Sequence, residues 1–282
     1  MQAAKKLISS HLTNLYRKEE IEGITRLIFG KVTGLTRLQV HLKQHEPISV
    51  ANLTQIEEII TRLIQFEPIQ YILGETEFYG LILKVTPDVL IPRPETEELV
   101  DWIIREHQNQ HPSILDIGTG SGCIPITLVK YIPGASAEGW DISSAALKIA
   151  NENAIANQVK INFQFADILK SIYPVAQKRF DLIISNPPYV TTSEKSVMLK
   201  NVIDYEPSIA LFVPDDDPLV FYRKISDLAL YLLEPAGKLY FEINEKYGDD
   251  TVQLLSSKGF CNIILRKDIN SRERMIRAEK KN

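Results

Sequence analysis

Hydrophobic positions recur along this chain with two different periods. In the first 70 residues the period is helical: Ile21, Ile24, Thr25 and Ile28 form one stripe, and Ile56, Ile59, Ile60, Leu63 and Ile64 form another. Ser49 and Asn52 are suitable helix starts ahead of the second stripe. The simplest account of both stripes is the core of a small helical bundle. From Gln70 the pattern changes. QYILGETEFYGLILKVTPDVLIP alternates aromatic and β-branched residues around Gly74 and Gly80, which predicts a hairpin. Pro87, Pro92 and Pro94 then stiffen a connector. Beyond it, strand and helix alternate. PETEELVDWIIREH, GCIPITLVKYI, SSAALKIANENAIAN, PLVFYRKISDLALYLL and DDTVQLLSSKG read as helices; SILDIG, ASAEGWDI, INFQFAD, FDLIIS, KLYFEIN and FCNIILRKD read as strands. The expected organisation is a helical domain over 1–70, a hairpin linker over 71–93 and an α/β domain over 94–282 with a doubly wound, mostly parallel sheet. Such sheets bind ligands beyond the C-terminal ends of their strands.

Three strand ends carry candidate chemistry. The first, Leu115-Asp116-Ile117-Gly118-Thr119-Gly120-Ser121-Gly122, leaves a strand and enters a helix. Glycines there let the backbone turn tightly and approach a ligand. The spacing is not that of a dinucleotide fingerprint, because Cys123 occupies the third glycine position. DxGxGxG instead resembles the first motif of Rossmann-like methyltransferases. That resemblance implies that Gly118, Thr119, Gly120, Ser121 and Gly122 cradle S-adenosyl-L-methionine. The second is Asp141, which closes the next strand 19 positions after Gly122. A carboxylate there can accept two hydrogen bonds from a ribose diol. It can also cap the following helix, although Ser143 and Ser144 are available for that task. The third is Asp167, followed by Ile168. By the same resemblance the Asp167 carboxylate takes the adenine amine and Ile168 packs on the ring. Alone, Asp167 reads as a surface loop residue.

The strand FDLIIS runs into Asn186-Pro187-Pro188-Tyr189. Two prolines fix φ and remove two backbone donors, leaving a row of carbonyl acceptors. Asn186 adds a side-chain carbonyl, and Tyr189 can stack on a flat group. The arrangement suits an –NH2 on a conjugated carbon, whose delocalised lone pair makes it a poor nucleophile. Holding that nitrogen in line with a methyl–sulfur bond supplies orientation. Acceptors that tighten as charge develops favour the transition state over the ground state. The segment alone also reads as a rigid loop, and it does not distinguish an amide from a nucleobase.

Composition narrows the choice. The net charge is −4 with 24% charged residues, so no global basic field holds duplex nucleic acid. The five histidines form no ligand set, and no metal is expected. Cys123 and Cys261 lie far apart and read as reduced thiols. No apolar run approaches ~18 residues, and the N-terminal stretch lacks the apolar core of a signal peptide. A cytoplasmic monomer without membrane contact or stable nucleic-acid binding is expected.

Together, QYILGETEFYG, IPRPETEELV, ILDIGTGSGCIPITL, WDISSAALKIANENA, SNPPYV, YEPSIALF and KDINSRERMIRA resemble the bacterial peptide chain release factor N5-glutamine methyltransferases over nearly the full length. The resemblance implies a Rossmann-like methyltransferase domain behind a helical substrate-docking domain. It implies methyl transfer to the glutamine of the GGQ motif in class I release factors. Asn186 and Pro187 would hold the amide beside Pro188, Tyr189 would pack on it, and Asn186 would also border the cofactor. Arg93 and Glu95 would shape the cleft, while Glu95 equally suits a first helical turn. A ribosomal protein glutamine is the nearest alternative substrate, and a DNA or RNA amine the more distant one. The chain departs from the family at Asp217-Pro218, Asn244, Tyr247-Gly248 and Asn270-Ser271. These lie outside the catalytic segment and are expected to bear on docking.

Overall fold

The computed structural model describes residues 1–172 and 179–281. They divide into two compact units, Met1–Gly74 with Leu199–Tyr205, and Glu75–Met198 with Glu206–Asn282. In chain order the first unit opens with α1 (Gln2–Leu12), α2 (Lys18–Thr33), α3 (Arg37–Leu42), α4 (Val50–Ile64) and α5 (Ile69–Leu73). The two predicted stripes meet in its core. Ile28, Ile56 and Leu63 are fully buried beside Ile8 and Leu12, while Ile64 stays at the rim. Ser49 is the cap of α4, its hydroxyl accepting from the Asn52 N–H at 3.1 Å. Gln70 to Leu73, expected in the hairpin, are helical, and Gly74 ends that helix with φ 75°.

The second unit contains β1 (Glu75–Phe78), β2 (Leu81–Lys84), α6 (Pro94–His107), β3 (Ser113–Ile117), α7 (Cys123–Tyr131), β4 (Ser136–Asp141), α8 (Ser144–Ala156), β5 (Ile161–Phe165), β6 (Phe180–Ser185) and β7 (Val190–Thr191). After α9 (Lys200–Tyr205), which belongs to the first unit, come β8 (Phe212–Val213), α10 (Val220–Leu232), β9 (Leu233–Glu242), α11 (Gly248–Ser257), β10 (Cys261–Lys267) and β11 (Glu273–Glu279). Seven strands form one sheet in the order β10-β11-β9-β6-β3-β4-β5. The five from β9 to β5 are parallel, and β11 enters antiparallel between β10 and β9. Successive residues of β3 face opposite layers: Ile114 packs with α6 and α7, and Leu115 with α10 and α11. The result is a three-layer α/β sandwich, as the alternation predicts.

β11 has no counterpart in the sequence reading. ERMIRAE carries four charges in seven residues and lacks the apolar density of an inner strand. The charges are accommodated individually. Arg277 donates to Glu106 at 2.7 Å, and Arg274 donates to the Ile243 carbonyl at 3.0 Å.

Among the groups that hold the hairpin of β1 and β2 against the sheet is one buried amide. Asn153 of α8 accepts from Lys84 N–H at 2.6 Å and donates to Lys84 O at 3.0 Å and to Ser121 O at 2.9 Å. One side chain thus ties the hairpin to the glycine loop. Replacing it leaves up to three polar groups without partners. We expect Asn153→Ala to lower unfolding stability by about 2–4 kcal/mol, read as a shift in the urea midpoint at unchanged slope.

Candidate active site

The strand order reverses direction between β3 and β6, and the loops leaving those two strands diverge there. The β3–β6 ladder ends at Asp116 and Ile184. Past it, the Ser185 hydroxyl donates to the Ile117 carbonyl at 2.6 Å and holds the two strand ends together. The glycine loop leaves on one side, and Asn186-Pro187-Pro188-Tyr189 leaves on the other.

The glycine loop is anchored on β4. Gly118 and Thr119 both donate to the Trp140 carbonyl, at 2.8 and 3.0 Å. The Gly120 N–H donates to Asp141 Oδ2 at 2.8 Å, while Asp141 Oδ1 accepts from Ser143 N–H at 2.8 Å. Ser143, not Asp141, caps α8. Gly118 and Gly120 adopt φ 76° and 53°, a region that L side chains rarely adopt. Gly122 does something different. A Cβ there would lie 3.0 Å from Ile126 and 3.2 Å from Ala150, so this glycine backs into the core.

Most of the residues singled out from sequence line one open cavity. Gly118, Thr119, Gly120, Ser121, Asp141, Asp167 and Ile168 lie along it, together with Asn186, Pro187 and Pro188. Gly122 and Tyr189 are not among the lining residues. Asp167 has both oxygens engaged by Lys170, one accepting from its N–H at 3.1 Å and the other paired with its ammonium at 3.4 Å. Arg93, also on the cavity wall, donates to Glu206 Oε1 at 2.6 Å, and Glu206 Oε2 accepts from Ile91 N–H at 3.3 Å. The PRPETE and YEPSIALF segments are thereby joined into one wall. Glu95 sits in the first turn of α6.

Behind the Asn-Pro-Pro-Tyr loop lies a polar cluster that sequence inspection missed. Glu242, at the end of β9 and 1% exposed, accepts from the Tyr189 hydroxyl at 3.0 Å and the Thr96 hydroxyl at 2.6 Å. Thr96 in turn accepts from Asn186 Nδ2–H at 3.2 Å. Burial raises the Glu242 carboxyl above its ordinary range, against the two hydroxyls and Arg274. Burial and the nearby Glu242 raise the Tyr189 hydroxyl well above its own, so it remains a donor. Asn244, one of the departures from the family pattern, also reaches this loop. Its Nδ2 donates to the Tyr189 carbonyl and to Glu194, each at 3.1 Å. The expectation that this departure lies away from the catalytic segment is therefore corrected, because β9 runs beside β6 and its end lies against the loop.

Comparisons with known proteins place the chain in a family. The PrmC N-terminal domain matches residues 4–74, and the Methyltransferase small domain matches residues 97–205. A release factor glutamine methyltransferase of Bacteroides thetaiotaomicron is 43% identical over 97% of this chain and 98% of its own. One from Flavobacterium psychrophilum is 46% identical over 95% and 94%. This chain belongs to the release factor glutamine methyltransferase family. Among solved structures, a methyltransferase from Pyrococcus furiosus superposes with TM-score 0.54 at 17% identity, covering 72% of this chain and 91% of the other. A 16S rRNA methyltransferase of T. thermophilus, in complex with AdoMet and guanosine, gives 0.53 at 19%, covering 73% and 50%. These two share the fold.

The cofactor implied by the family carries an ammonium and a sulfonium, and the residues here fit a cationic ligand. Asp88, Asp141 and Asp167 lie on the wall; Asp167 is paired with Lys170, and the Arg93 charge is taken by Glu206. Beneath the glycine loop, both carboxylate oxygens of Asp116 are buried without a hydrogen-bond partner. Burial pushes its pKa up to about 7. The Thr119 hydroxyl is near enough to ease this, though outside hydrogen-bonding geometry, and the Asp141 charge adds to it. An unpaired buried carboxylate is unusual in a folded protein, and Asp116 lies behind the cavity wall, under the glycine loop that forms it. Sequence reading included Asp116 as the acid of DxGxGxG and gave it no role of its own.

With a raised pKa, the folded protein binds the Asp116 proton more tightly than the unfolded chain. Its contribution to stability is present below the ordinary value of 3.8 and is lost as pH rises toward about 7. In the ligand-free protein, urea midpoints of Asp116→Asn should fall less steeply than wild type across that window, and the variant should bind cofactor more weakly. Parallel profiles for the two proteins would remove Asp116 from this role.

Proposed function

We propose that this chain transfers the methyl group of S-adenosyl-L-methionine to the side-chain amide nitrogen, N5, of the glutamine in the GGQ motif of class I peptide chain release factors. One observation supports the reading above all. A single cavity has the glycine loop and strand-end acids along one stretch and the carbonyl-rich Asn186-Pro187-Pro188 segment along another. Family membership supplies the substrate class.

When bound, S-adenosyl-L-methionine supplies an electrophilic methyl group. Gly118, Thr119, Gly120 and Ser121 are assigned to its methionine and ribose portion, with Gly122 supporting the loop from the core side. Asp141 keeps the loop in place through Gly120 N–H and borders the ribose, while Asp167 and Ile168 border the adenine. Asn186 Oδ1 and the Pro187 carbonyl accept from the two amide protons of the substrate, which turns its nitrogen face toward the methyl. Pro188 forms the wall beside it. Tyr189 braces the loop through Glu242. No strong base is required, because an N-methylated amide cation is acidic enough to release its proton to water. The helical unit at the N-terminal end is assigned to docking of the protein substrate.

The test uses labelled cofactor with a full-length release factor, a ribosomal protein substrate and duplex DNA side by side. Label is expected on the release factor glutamine. Label on DNA alone, or on none of the three, would overturn the reading; preferential label on the ribosomal protein would shift it to the related amide. Asn186→Ala should reduce turnover roughly 100- to 1000-fold and leave cofactor affinity within about fivefold.

A further inference from the structure

An asparagine amide has two ends of nearly the same size, one an acceptor and the other a donor. Asn186 can receive a substrate –NH2 only with its oxygen turned to the cavity. With the amide reversed, two N–H groups would confront two N–H groups. The proposed function therefore depends on what fixes this rotation, and the prolines beside it fix backbone torsions only.

The hydrogen-bond chain behind the loop supplies the answer by counting hydrogens. Glu242, when ionised, accepts only. Its Oε1 takes the Tyr189 hydroxyl hydrogen at 3.0 Å, and its Oε2 takes the Thr96 hydroxyl hydrogen at 2.6 Å. A hydroxyl has one hydrogen, so Thr96 Oγ1 has only lone pairs left for Asn186. The 3.2 Å contact between them is then made by Nδ2–H of Asn186. Oδ1 lies on the other side of the same planar group, and no donor among the described residues reaches it. Asn186 and Thr96 both border the cavity, but Thr96 is only 2% exposed, and Glu242 behind them is 1% exposed and off the wall. The groups that set the polarity are thus shielded from solvent, which would otherwise exchange the partners.

Two features of the fold make the chain of contacts rigid. Thr96 stands in the first turn of α6, directly behind Arg93-Pro94-Glu95, and Arg93 is held by the buried Glu206. Glu242 ends β9, whose register with β6 runs to Ser185↔Phe241, one residue short of Asn186. The two strands that carry Glu242 and Asn186 are therefore paired neighbours, and α6 lies across their ends.

We propose that Thr96 is a positioning residue for the methyl transfer, locking the Asn186 amide with Oδ1 toward the substrate because its own hydrogen is committed to Glu242. This rests on the reading of Asn186 as the group that holds the substrate amide. It assigns the threonine of the PRPETE segment a role in the chemistry without contact with the reacting atoms.

The experiment is a double-mutant cycle on the full-length enzyme, with S-adenosyl-L-methionine and a full-length release factor. Thr96→Val keeps the shape and removes the hydroxyl. It should lower kcat roughly 10- to 100-fold, with cofactor Kd and release factor KM changed less than about threefold. Thr96→Ser restores the hydroxyl and should recover kcat to within about threefold of wild type. In an Asn186→Ala background there is no amide to orient, so Thr96→Val should change kcat less than about twofold. Equal loss from Thr96→Val in both backgrounds would overturn the proposal, as would wild-type turnover in the single variant. Should Thr96→Val fail to fold, Thr96→Ala is read in the same cycle against the same outcomes. Near-normal turnover in Asn186→Ala alone would instead defeat the reading of Asn186, a result separate from any at Thr96.

Discussion

The last residue of β3 is still in register with β4 but lies past the end of its ladder with β6, and the shape of the site follows from what meets it there. The Ile117 oxygen lies just beyond the end of the β3–β6 ladder. Ser185 gives it a hydroxyl hydrogen at 2.6 Å. That contact keeps the two strand ends from splaying at the position where their loops must part. The glycine loop can then turn toward β4, and the proline loop toward β9. A crevice opens between two backbones that are held together at its base. The position of the cavity is a consequence of strand order, and a serine ties the two strand ends at its base.

Two buried carboxylates beside this crevice show opposite solutions to one electrostatic problem. Glu242 is satisfied within the protein by two hydroxyls. It organises its neighbours and faces no ligand. Asp116 has no such partners, and burial leaves its proton easily held near neutral pH. The first is a structural anchor, whereas the second carries an unfilled demand for a donor. The difference comes from the neighbouring side chains, because both acids occupy positions in or at the end of parallel strands with no solvent contact.

The parts of the molecule visible in the sequence were those with a repeating pattern or a fixed spacing. The stripe through Ile56, Ile59, Ile60 and Leu63 reads as one helix face and is one. Inner strands such as SILDI and FDLIIS read as apolar runs because both faces of a parallel sheet are covered there. The glycine loop and Asn186-Pro187-Pro188 are contiguous, so local chemistry reveals them. What stayed hidden depends on separations of tens to hundreds of residues. The Thr96–Glu242 contact spans 146 positions, and the Asn153 clasp spans 69 to Lys84. β11 stayed hidden because its charges looked like solvent-facing groups until Glu106 was seen beside Arg277. Gly122 looked identical to Gly118 and Gly120 in the motif, yet the turn points its hydrogen into packed side chains. Asn244 looked peripheral because strand adjacency between β6 and β9 cannot be read from their distance along the chain.

The consecutive prolines have one more consequence. A protein often captures a peptide by adding it to an exposed backbone edge, with amide and carbonyl groups alternating in register. Pro187 and Pro188 present carbonyls and no N–H, so a peptide running alongside them would find its own carbonyls unanswered on that stretch. The rung-by-rung zippering that makes sheet edges promiscuous is closed to this loop. A guest that offers donors alone, such as a side-chain –NH2, meets no such mismatch there.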